Sequence, residues 1–439
     1  MTRFVERHVI PRLRLYAALA VILRILISNR LLRLSRRWTP RERFRERGRR
    51  LNEKNAERLL RAIIRLRGLF IKVGQFLSLR VDLLPEEYTL VLSRLQDSVP
   101  PVPYDVIRTR IAEEFGKEPG ELFAGFVREP IAAASLAQVH EAELHDGARA
   151  AVKILYPGIE RTVAADIVIL RIILNFIHIF RRRFNYSLIV NEFEKYVSME
   201  TDMIQEGKNM ERMRERLGPD DGTVIPAVVW ELTSKGVLTT GFVEGIKITD
   251  LNAIRNRGID VQKVSEEVVA CYMRQVFRLG FFQADPHPGN LFVVPLEGGR
   301  HRIAIVDFGL CKELPPDFVQ SLGKVALAVV QRDGALMAQA LIELGFETWD
   351  GKPDSIRRFC DFVVRHVDEF VYGMPRDIPV EAIYRELMEI AREKALVRIP
   401  GDFILIGRVL GLLAGLGRRL RSKIDLKEII LRQVLPGGG

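Results

Sequence analysis

Hydrophobic residues recur at helical spacing through the first 125 residues of the chain and again after residue 316. A recurrence of about 3.6 residues predicts helices in both regions. Between them, short apolar runs bounded by glycine, proline and aspartate predict strands. The pattern therefore predicts an α+β chain with helices at both ends and most of its strands in the middle.

Several helices are predicted before the first strand, at residues 13–34, 41–69, 66–84, 88–96, 105–115 and 119–123. The third of them contains Lys72 and Gln75, which lie three residues apart on one helix face. Gly74 stands between them and allows another element to approach the helix closely.

The predicted strands are residues 126–131, 135–143, 149–155, 224–230 and 236–242. An Ala-rich turn separates the first two, and an Asp146-Gly147 turn precedes the third, which contains Lys153. Val243–Gly245 fits a hinge between two lobes. Further helices are predicted at residues 261–279, 316–332, 336–344, 355–370, 380–393 and 402–420, the last with Asp402 as a candidate N-cap.

The stretch Phe281–Gly309, FFQADPHPGNLFVVPLEGGRHRIAIVDFG, carries the clearest candidate chemistry. Two apolar runs joined by a Gly-Gly turn predict a hairpin, which would hold Asp285, Asn290 and Asp307 close together. Phosphoryl transfer from ATP uses such a set, namely one carboxylate facing the acceptor or water and an amide and a carboxylate on Mg²⁺. The Asp-x-x-x-x-Asn spacing, followed by Asp-Phe-Gly, matches a kinase catalytic loop.

Charge is concentrated at the N-terminus. The first 50 residues contain fifteen arginines and three glutamates, whereas the whole chain has a net charge of +11, so the remainder is close to neutral. A localised basic arm beside an apolar run favours a membrane surface over nucleic acid as the partner. Three widely spaced cysteines (Cys271, Cys311 and Cys360) fit neither a disulfide framework nor a zinc pattern, and are expected to be buried thiols.

The apolar helix at residues 13–34 has an uncharged core, residues 15–23, that is too short to cross a bilayer, and Arg24 interrupts any longer stretch. An interfacial amphipathic helix is the favoured interpretation, with the protein peripheral on the cytoplasmic face of a membrane. The main alternative is a helix packed on the protein's own surface. A secretory signal is disfavoured because no small-residue cleavage site follows.

Taken in order, the motifs resemble those of the UbiB-type (aarF-domain) atypical protein-kinase-like family. The resemblance extends over about residues 50–420 and lies in Lys72-x-Gly-Gln75, Ala132-Ala-Ala-Ser135, Val152-Lys153, Glu200-x-Asp202, the Asp285–Asn290 loop and Asp307-Phe-Gly.

The resemblance implies an α+β protein-kinase-like two-lobe fold with an N-terminal helical KxGQ extension and a largely helical C-lobe. The implied boundaries are 1–50 for a basic amphipathic arm, 51–125 for the KxGQ extension, 126–246 for the N-lobe and 247–439 for the C-lobe.

Residue roles carry over by position. The resemblance implies that Lys153 bridges the ATP phosphates and pairs with Glu206, that Asp285 is the catalytic-loop acid, and that Asn290 and Asp307 bind Mg²⁺. It also implies that Lys72 and Gln75 face the nucleotide and that Lys72 pairs with Glu200 and Asp202. The remaining nucleotide-binding residues that it implies are Ala132, Ala133, Ala134 and Ser135.

Two positions depart from the family pattern. Gln283 stands where the family often has histidine, and it is expected to hydrogen-bond a backbone group all the same. Thr240-Gly241 replaces an acidic hinge residue, which affects the expected adenine contacts.

The Ala132–Ser135 loop has alanines where an ordinary phosphate-binding loop has glycines. Alanines restrict the backbone of this loop, because only glycine adopts positive φ readily.

The implied function is a membrane-associated, Mg²⁺-dependent ATPase or atypical kinase supporting ubiquinone or other isoprenoid-lipid biosynthesis, with partners among the enzymes of that synthesis or an isoprenoid lipid. In this family the KxGQ helix lies over the acceptor side, which disfavours protein phosphorylation. Two alternatives stay open, a phosphotransferase acting on a protein or small molecule and a nucleotide-binding scaffold for lipid-modifying enzymes.

Overall fold

A computed structural model describes residues 10–78, 84–96, 101–180, 201–218, 221–350, 352–366, 396–398, 400–422 and 424–434. Its helices are α1 Ile10–Ser35, α2 Arg41–Leu66, α3 Leu69–Ser78, α4 Glu86–Leu92, α5 Tyr104–Phe115, α6 Pro119–Leu122, α7 Ile159–Phe180, α8 Met203–Leu217, α9 Leu251–Asn256, α10 Val261–Phe277, α11 Pro316–Gln331, α12 Gly334–Glu343, α13 Asp354–Arg365, α14 Gly401–Leu420 and α15 Leu426–Val434. Short 3-10 turns occur at Ser93–Gln96, Trp230–Leu232, Pro288–Asn290 and Glu297–Gly299.

The strands are β1 Gly125–Phe126, β2 Ala132–Ala133, β3 Ala137–Glu143, β4 Arg149–Leu155, β5 Thr223–Val224, β6 Val237–Gly241, β7 Ile246–Lys247, β8 Phe281–Gln283, β9 Leu291–Pro295, β10 His301–Ile305, β11 Cys311–Glu313, β12 Glu347–Thr348 and β13 Leu396–Arg398. The chain forms two compact units. Unit 1 comprises Met1–Gln205 and Val228–Phe242, and unit 2 comprises Glu206–Ala227 and Val243–Gly439.

Unit 1 contains an antiparallel sheet in the order β1-β3-β4-β6, with β2 also paired to β3. The predicted β4 strand is confirmed at its predicted bounds, and Lys153 pairs in register with Val139 and Leu238. The prediction of one strand over residues 126–131 is wrong. The chain there forms only β1, and the Ala-rich stretch itself supplies β2, since Ala132 and Ala133 pair with Val139 and Gln138.

Helices α1, α2, α3 and α4 of unit 1 share one hydrophobic core with α7. Gly74 lies where α3 meets two neighbours. A Cβ atom there would lie 2.4 Å from Leu95 Cδ1 and 2.9 Å from Ile63 Cδ1, distances that real Cβ atoms do not adopt. The predicted close approach at this glycine is therefore confirmed.

Helix α1 packs one face on α2 and α7. Ala18 is buried, and the side chains of Leu15, Leu19 and Ile22 pack against the shared core. Much of the remaining surface is exposed and apolar, at Leu13, Tyr16, Leu23, Ile27, Leu31 and Leu34. The packed face agrees with the alternative of a helix on the protein's own surface, and the interfacial interpretation stays a prediction.

The expectation that Arg24 interrupts any stretch of α1 long enough to cross a bilayer needs correction. Within the described residues, the segment Leu13–Ser35 is long and apolar enough to do so by length and composition alone, with a mean hydropathy of 1.7 over its most apolar window and 6% of that window buried. Arg24 does not lower the mean hydropathy enough to exclude a span.

Arg14 fixes α1 to the helices beside it. Its guanidinium binds both carboxylate oxygens of the buried Asp166 in α7 at 2.6 Å, donates to the carbonyl oxygen of Leu66 at 2.6 Å and lies over the ring of Phe70. Burial raises the pKa of Asp166 to about 6, although the adjacent Arg14 and a backbone hydrogen bond from Leu69 act in the opposite direction. One buried ion pair therefore joins α1, α7 and the start of α3.

Unit 2 contains a sheet in the order β5-β10-β9-β7 and several packed helices. The predicted hairpin is confirmed, because β9 and β10 are antiparallel with Val293 opposite Ile303, and Gly298 and Gly299 turn the chain at positive φ. The predicted cysteine environment is also confirmed, since all three thiols are buried. The predicted helix at residues 380–393 lies outside the described residues.

Asp202 lies just before α8, which begins at Met203, and its carboxylate accepts a hydrogen bond from the Gln205 amide at 3.0 Å. The start of α14 differs from the prediction. The N-cap of α14 is Pro400 instead of Asp402. Asp402 lies within the first turn and binds Lys312 Nζ at 2.8 Å.

Candidate active site

The β9–β10 hairpin positions the two candidate Mg²⁺ ligands. Leu291 and Ile305 are opposite each other in the antiparallel register, and the Val306 amide donates to the Asn290 carbonyl oxygen at 3.1 Å. Asn290 and Asp307 therefore flank the same end of the hairpin. One Asp307 oxygen accepts from the Gly309 amide at 3.1 Å, which orders the acidic turn.

Gln283 connects the Asp285 loop to the Asp-Phe-Gly turn. This fully buried side chain donates through Nε2 to the carbonyl oxygens of Asp285 at 2.8 Å and Asp307 at 3.3 Å. Its Oε1 accepts from the Asp285 amide at 3.1 Å and from the Tyr272 hydroxyl at 2.8 Å. The expectation that glutamine still binds the backbone at this position is confirmed.

Tyr272 is suited to this donor role. Burial raises the pKa of the Tyr272 phenol well above its ordinary value, with smaller contributions from nearby groups that include Asp285 and Asp307. The hydroxyl consequently keeps its proton at physiological pH and continues to donate to Gln283.

Helix α8 holds the phenylalanine of the Asp-Phe-Gly turn from the side. Glu206 Oε1 accepts from the Phe308 amide at 3.3 Å, and Asn209 Nδ2 donates to the Phe308 carbonyl oxygen at 3.0 Å. Glu206 and Asn209 are one helical turn apart, and the Phe308 ring is fully buried. The role of Asn209 was missed in the sequence, because an asparagine inside a helix gives no local signal for a partner 99 residues away.

Asp285 lies two residues after β8, in the loop that precedes the Pro288–Asn290 turn. One of its carboxylate oxygens accepts from Arg408 Nη2 of α14 at 3.1 Å. His287 helps to shape this loop, since its Nδ1 accepts from the Gly289 amide at 3.2 Å. No motif in the sequence points to Arg408, so the sequence prediction missed this contact.

The candidate phosphate-binding residues of unit 1 lie on and beside its sheet. Lys153 is half-buried on β4. In the adjoining loop the Ala134 carbonyl oxygen accepts from the Tyr156 hydroxyl at 3.1 Å. The Ser135 hydroxyl is buried and has no hydrogen-bond partner among the described residues. A buried hydroxyl of this kind is suited to an additional oxygen ligand such as a phosphate.

The KxGQ residues lie on α3, as predicted. Lys72 is half-buried, and Gln75 Nε2 donates to the Leu95 carbonyl oxygen at 3.0 Å. Glu200, an expected partner of Lys72, lies outside the described residues. The pairing of Lys72 with Asp202 and that of Lys153 with Glu206 stay predictions.

The donor set of unit 2 fits Mg²⁺. This hard cation prefers oxygen ligands and usually keeps water and phosphate oxygens in its coordination shell, so one amide and one carboxylate are a sufficient protein contribution. Asn290 and Asp307 supply these two oxygen types at one end of a hairpin. Over the residues that the structure describes, no group of three or more His, Cys, Asp and Glu side chains could hold another metal.

A cavity of about 740 Å³ lies elsewhere in unit 2, beside α10 and α15. Its lining is strongly charged and includes Asp221, Arg274 and Glu428. Arg274 already pairs with Asp221, and Arg432 with Glu428. None of the candidate ATP or Mg²⁺ residues lines this cavity, so it is separate from the candidate active site.

Comparison with known proteins agrees with this picture. A family model described as the ABC1 atypical kinase-like domain matches residues 94–341. The chain is 34% identical over 372 residues to an uncharacterized protein of Synechocystis, covering 84% of this chain and 62% of that protein. It is 32% identical over 374 residues to a probable protein kinase UbiB of Marinobacter nauticus, covering 84% and 68% respectively.

Among solved structures, the chain is similar to Rv3197 of Mycobacterium tuberculosis, determined in complex with erythromycin. The TM-score is 0.60 at 24% identity, over 90% of this chain and 98% of that chain. Together with the family match, this similarity confirms the predicted α+β protein-kinase-like fold and the resemblance on which it was based.

Proposed function

The chain belongs to the ABC1 atypical kinase-like family, and from this premise we propose that it binds Mg²⁺-ATP and hydrolyses the nucleotide at a membrane surface. The observation that carries the proposal is the hydrogen-bonded connection through Gln283, which links the Asp285 loop to the Asp307 turn. This network orders the backbone at both acidic residues, and such ordering supports a site whose reacting groups must be held in place.

Each residue has a role in this proposal. Asn290 and Asp307 would hold Mg²⁺, which offsets the negative charge of the ATP phosphates. Lys153 and the Ser135 hydroxyl would bind phosphate oxygens. Asp285 would orient the attacking water and accept its proton as the water oxygen bonds to the γ-phosphorus and ADP leaves.

Hydrolysis is favoured over protein phosphorylation by the Ala-rich loop and the KxGQ helix. Alanines at positions 132–134 have less conformational freedom than the glycines of an ordinary phosphate loop, and Ala132 and Ala133 are further held in β2. The KxGQ helix α3 is fixed in its core by the close packing at Gly74. We propose that this helix keeps protein acceptors out, as its family position implies.

The proposed membrane contact is made by α1. Its exposed face combines large apolar side chains such as Tyr16, Ile27 and Leu31 with exposed arginines, including Arg24 and Arg30. Apolar residues inserted among acyl chains and arginines at anionic headgroups together give interfacial binding. The setting would be the cytoplasmic face of a membrane, with a role in ubiquinone or other isoprenoid-lipid synthesis.

Equilibrium binding tests the nucleotide assignment. Mg²⁺-ATP should raise the melting temperature of the wild-type protein more than ATP with EDTA does, because Mg²⁺-ATP binds only the folded state. Asp307→Asn should lose the Mg²⁺-dependent part of the shift, and Lys153→Met should weaken binding in both conditions. The absence of any shift in the wild-type protein would contradict the proposal.

A further inference from the structure

The contact between Asp285 and Arg408 joins two residues 123 positions apart in the sequence. The guanidinium Nη2 lies 3.1 Å from one Asp285 oxygen, and the two side chains are 33% and 21% exposed, respectively. This is a partly buried charge pair located on the candidate catalytic acid. Nothing in the family motifs or in the local sequence points to an arginine here.

The backbone of Asp285 is already fixed. Gln283 binds both its amide and its carbonyl oxygen, so the freedom that remains is rotation of the short side chain. Arg408 holds one of the two carboxylate oxygens. Among the described residues, no protein group donates to the other carboxylate oxygen, which is the one that could face an attacking water.

Helix α14 is a firm support for the arginine. Leu405, Ile406 and Val409, which flank Arg408 in sequence, are all buried. Phe403 packs edge-on against Phe346 with ring centroids 4.9 Å apart. A side chain on such an anchored helix keeps its position better than one on a loop.

The same helix also contacts the segment after the Asp-Phe-Gly turn. Asp402, in the first turn of α14, pairs with Lys312 of β11. Helix α14 thus connects to the Asp285 loop through one ion pair and to the strand following Gly309 through another. Both connections lie within unit 2.

The arginine also has unused binding capacity. Its Nε is buried and has no hydrogen-bond partner within the described part of the chain. Nε and Nη2 lie on the same edge of a guanidinium, the edge that binds a carboxylate with two parallel hydrogen bonds. Lysine has no such planar pair of donors, so the geometry at this position is specific to arginine.

We propose that Arg408 is a positioning residue that orients the Asp285 carboxylate for attack of water on ATP. The proposal rests on the proposed function and extends it to a residue outside the kinase-like motifs. It assigns Arg408 no contact with the nucleotide. Its removal should therefore lower turnover and leave nucleotide affinity unchanged.

The test compares steady-state ATP hydrolysis by the full-length wild-type protein, Arg408→Met and Arg408→Lys. Arg419→Met is the matched control, because Arg419 is an exposed arginine on the same helix. Arg408→Met should lower kcat on the order of 10- to 100-fold, the effect of misplacing a reacting group by about 1 Å, with KM for ATP unchanged. Arg408→Lys should restore part of the lost kcat, because lysine retains the positive charge. The restoration should be incomplete, because lysine lacks the planar guanidinium.

Thermal unfolding of the same proteins separates positioning from folding. A partly exposed ion pair contributes little to stability, so Arg408→Met should unfold close to the wild-type temperature. The inference is overturned if kcat of Arg408→Met equals that of the wild type, if KM for ATP rises in parallel with the loss, or if the lysine variant recovers nothing.

The same experiment tests the proposed function separately from the role of Arg408. If the wild-type protein does not hydrolyse ATP, the proposed function and this inference both fail. The other informative result is that the wild type hydrolyses ATP, Asp307→Asn does not, and Arg408→Met hydrolyses it at the wild-type rate. In that case the proposed function stands and only the role of Arg408 fails.

Discussion

Gln283 Nε2 lies 3.3 Å from the carbonyl oxygen of Asp307, so a single buried amide joins the Asp285 loop to the proposed metal-binding turn. We predict that Gln283→Leu lowers the free energy of unfolding by about 2–4 kcal/mol, because it leaves several buried polar groups without partners at about 1–3 kcal/mol each. Urea denaturation measures this loss. ATP turnover should fall as well.

The control for that substitution is Gln339→Leu, which removes an exposed glutamine from α12 of the same unit. It should change the unfolding free energy by no more than about 0.5 kcal/mol. Equal effects of the two substitutions would show that the Gln283 network is not an important source of stability.

Glycine-to-alanine substitutions at Gly74 and at Gly411 should change the free energy of unfolding in opposite directions. Gly74→Ala should destabilise the protein by about 1–3 kcal/mol, since the new methyl group would overlap Leu95 and Ile63. Gly411→Ala in α14 should stabilise it by about 0.5–1 kcal/mol, because no other atom lies near the added methyl group and alanine favours helix. Chemical denaturation of both variants checks this. Stabilisation by Gly74→Ala would contradict the close approach.

The buried Asp166 predicts a specific pH dependence. Its pKa rises on folding from 3.8 to about 6, so the folded protein binds the proton more tightly than the unfolded chain does. The stability that this group contributes is therefore fully present below about pH 4 and is lost as pH rises through 6, a change on the order of 3 kcal/mol. Asp166→Asn should remove that part of the pH dependence.

The measurement is the difference in unfolding free energy between wild type and Asp166→Asn at a series of pH values from 4 to 7. Other acids, whose pKa values are lowered by their hydrogen bonds, are common to both proteins and cancel in the difference. The wild type should lose stability relative to the variant as pH increases. A difference that is constant with pH would contradict the raised pKa.

Membrane binding should depend on the exposed face of α1. Replacing Ile27 and Leu31 by asparagine should weaken binding to anionic vesicles by at least about tenfold, since each large apolar side chain contributes up to about 1.5–3 kcal/mol when buried. Trp349→Ala is the control, because this exposed aromatic residue belongs to unit 2 and not to α1. Vesicle cosedimentation compares the variants. If Trp349→Ala weakens vesicle binding as much as the α1 substitutions do, α1 is not the membrane contact.

Local patterns predicted the elements that position the candidate active site. The apolar runs and the Gly-Gly turn predicted the β9–β10 hairpin, and the Asp146-Gly147 turn predicted the strand that contains Lys153. These features form between residues close in sequence, where pattern and turn chemistry act directly. The bond from Gln283 to backbone was also predicted, from the position that this residue shares with a histidine of the family pattern.

Contacts between distant segments were not predictable in the same way. The pairing of Asp285 with Arg408, and of Phe308 with Asn209, is determined by how helices pack, and a single sequence has no local signal for it. The interruption of the predicted 126–131 strand has the same origin, since β2 forms only where β3 is available as a partner. Tertiary context overrides local propensity at these positions.

The central claim is Mg²⁺-dependent ATP hydrolysis, and the most direct measurement is phosphate release from ATP by the purified full-length protein, with and without cardiolipin-containing vesicles. The account predicts turnover that requires Mg²⁺, increases with the vesicles and is abolished by Asp307→Asn. Turnover that Asp307→Asn leaves unchanged would contradict it. Labelled phosphate found on an added protein or small molecule would instead identify a phosphotransferase, and tight Mg²⁺-ATP binding without turnover would identify a nucleotide-binding scaffold.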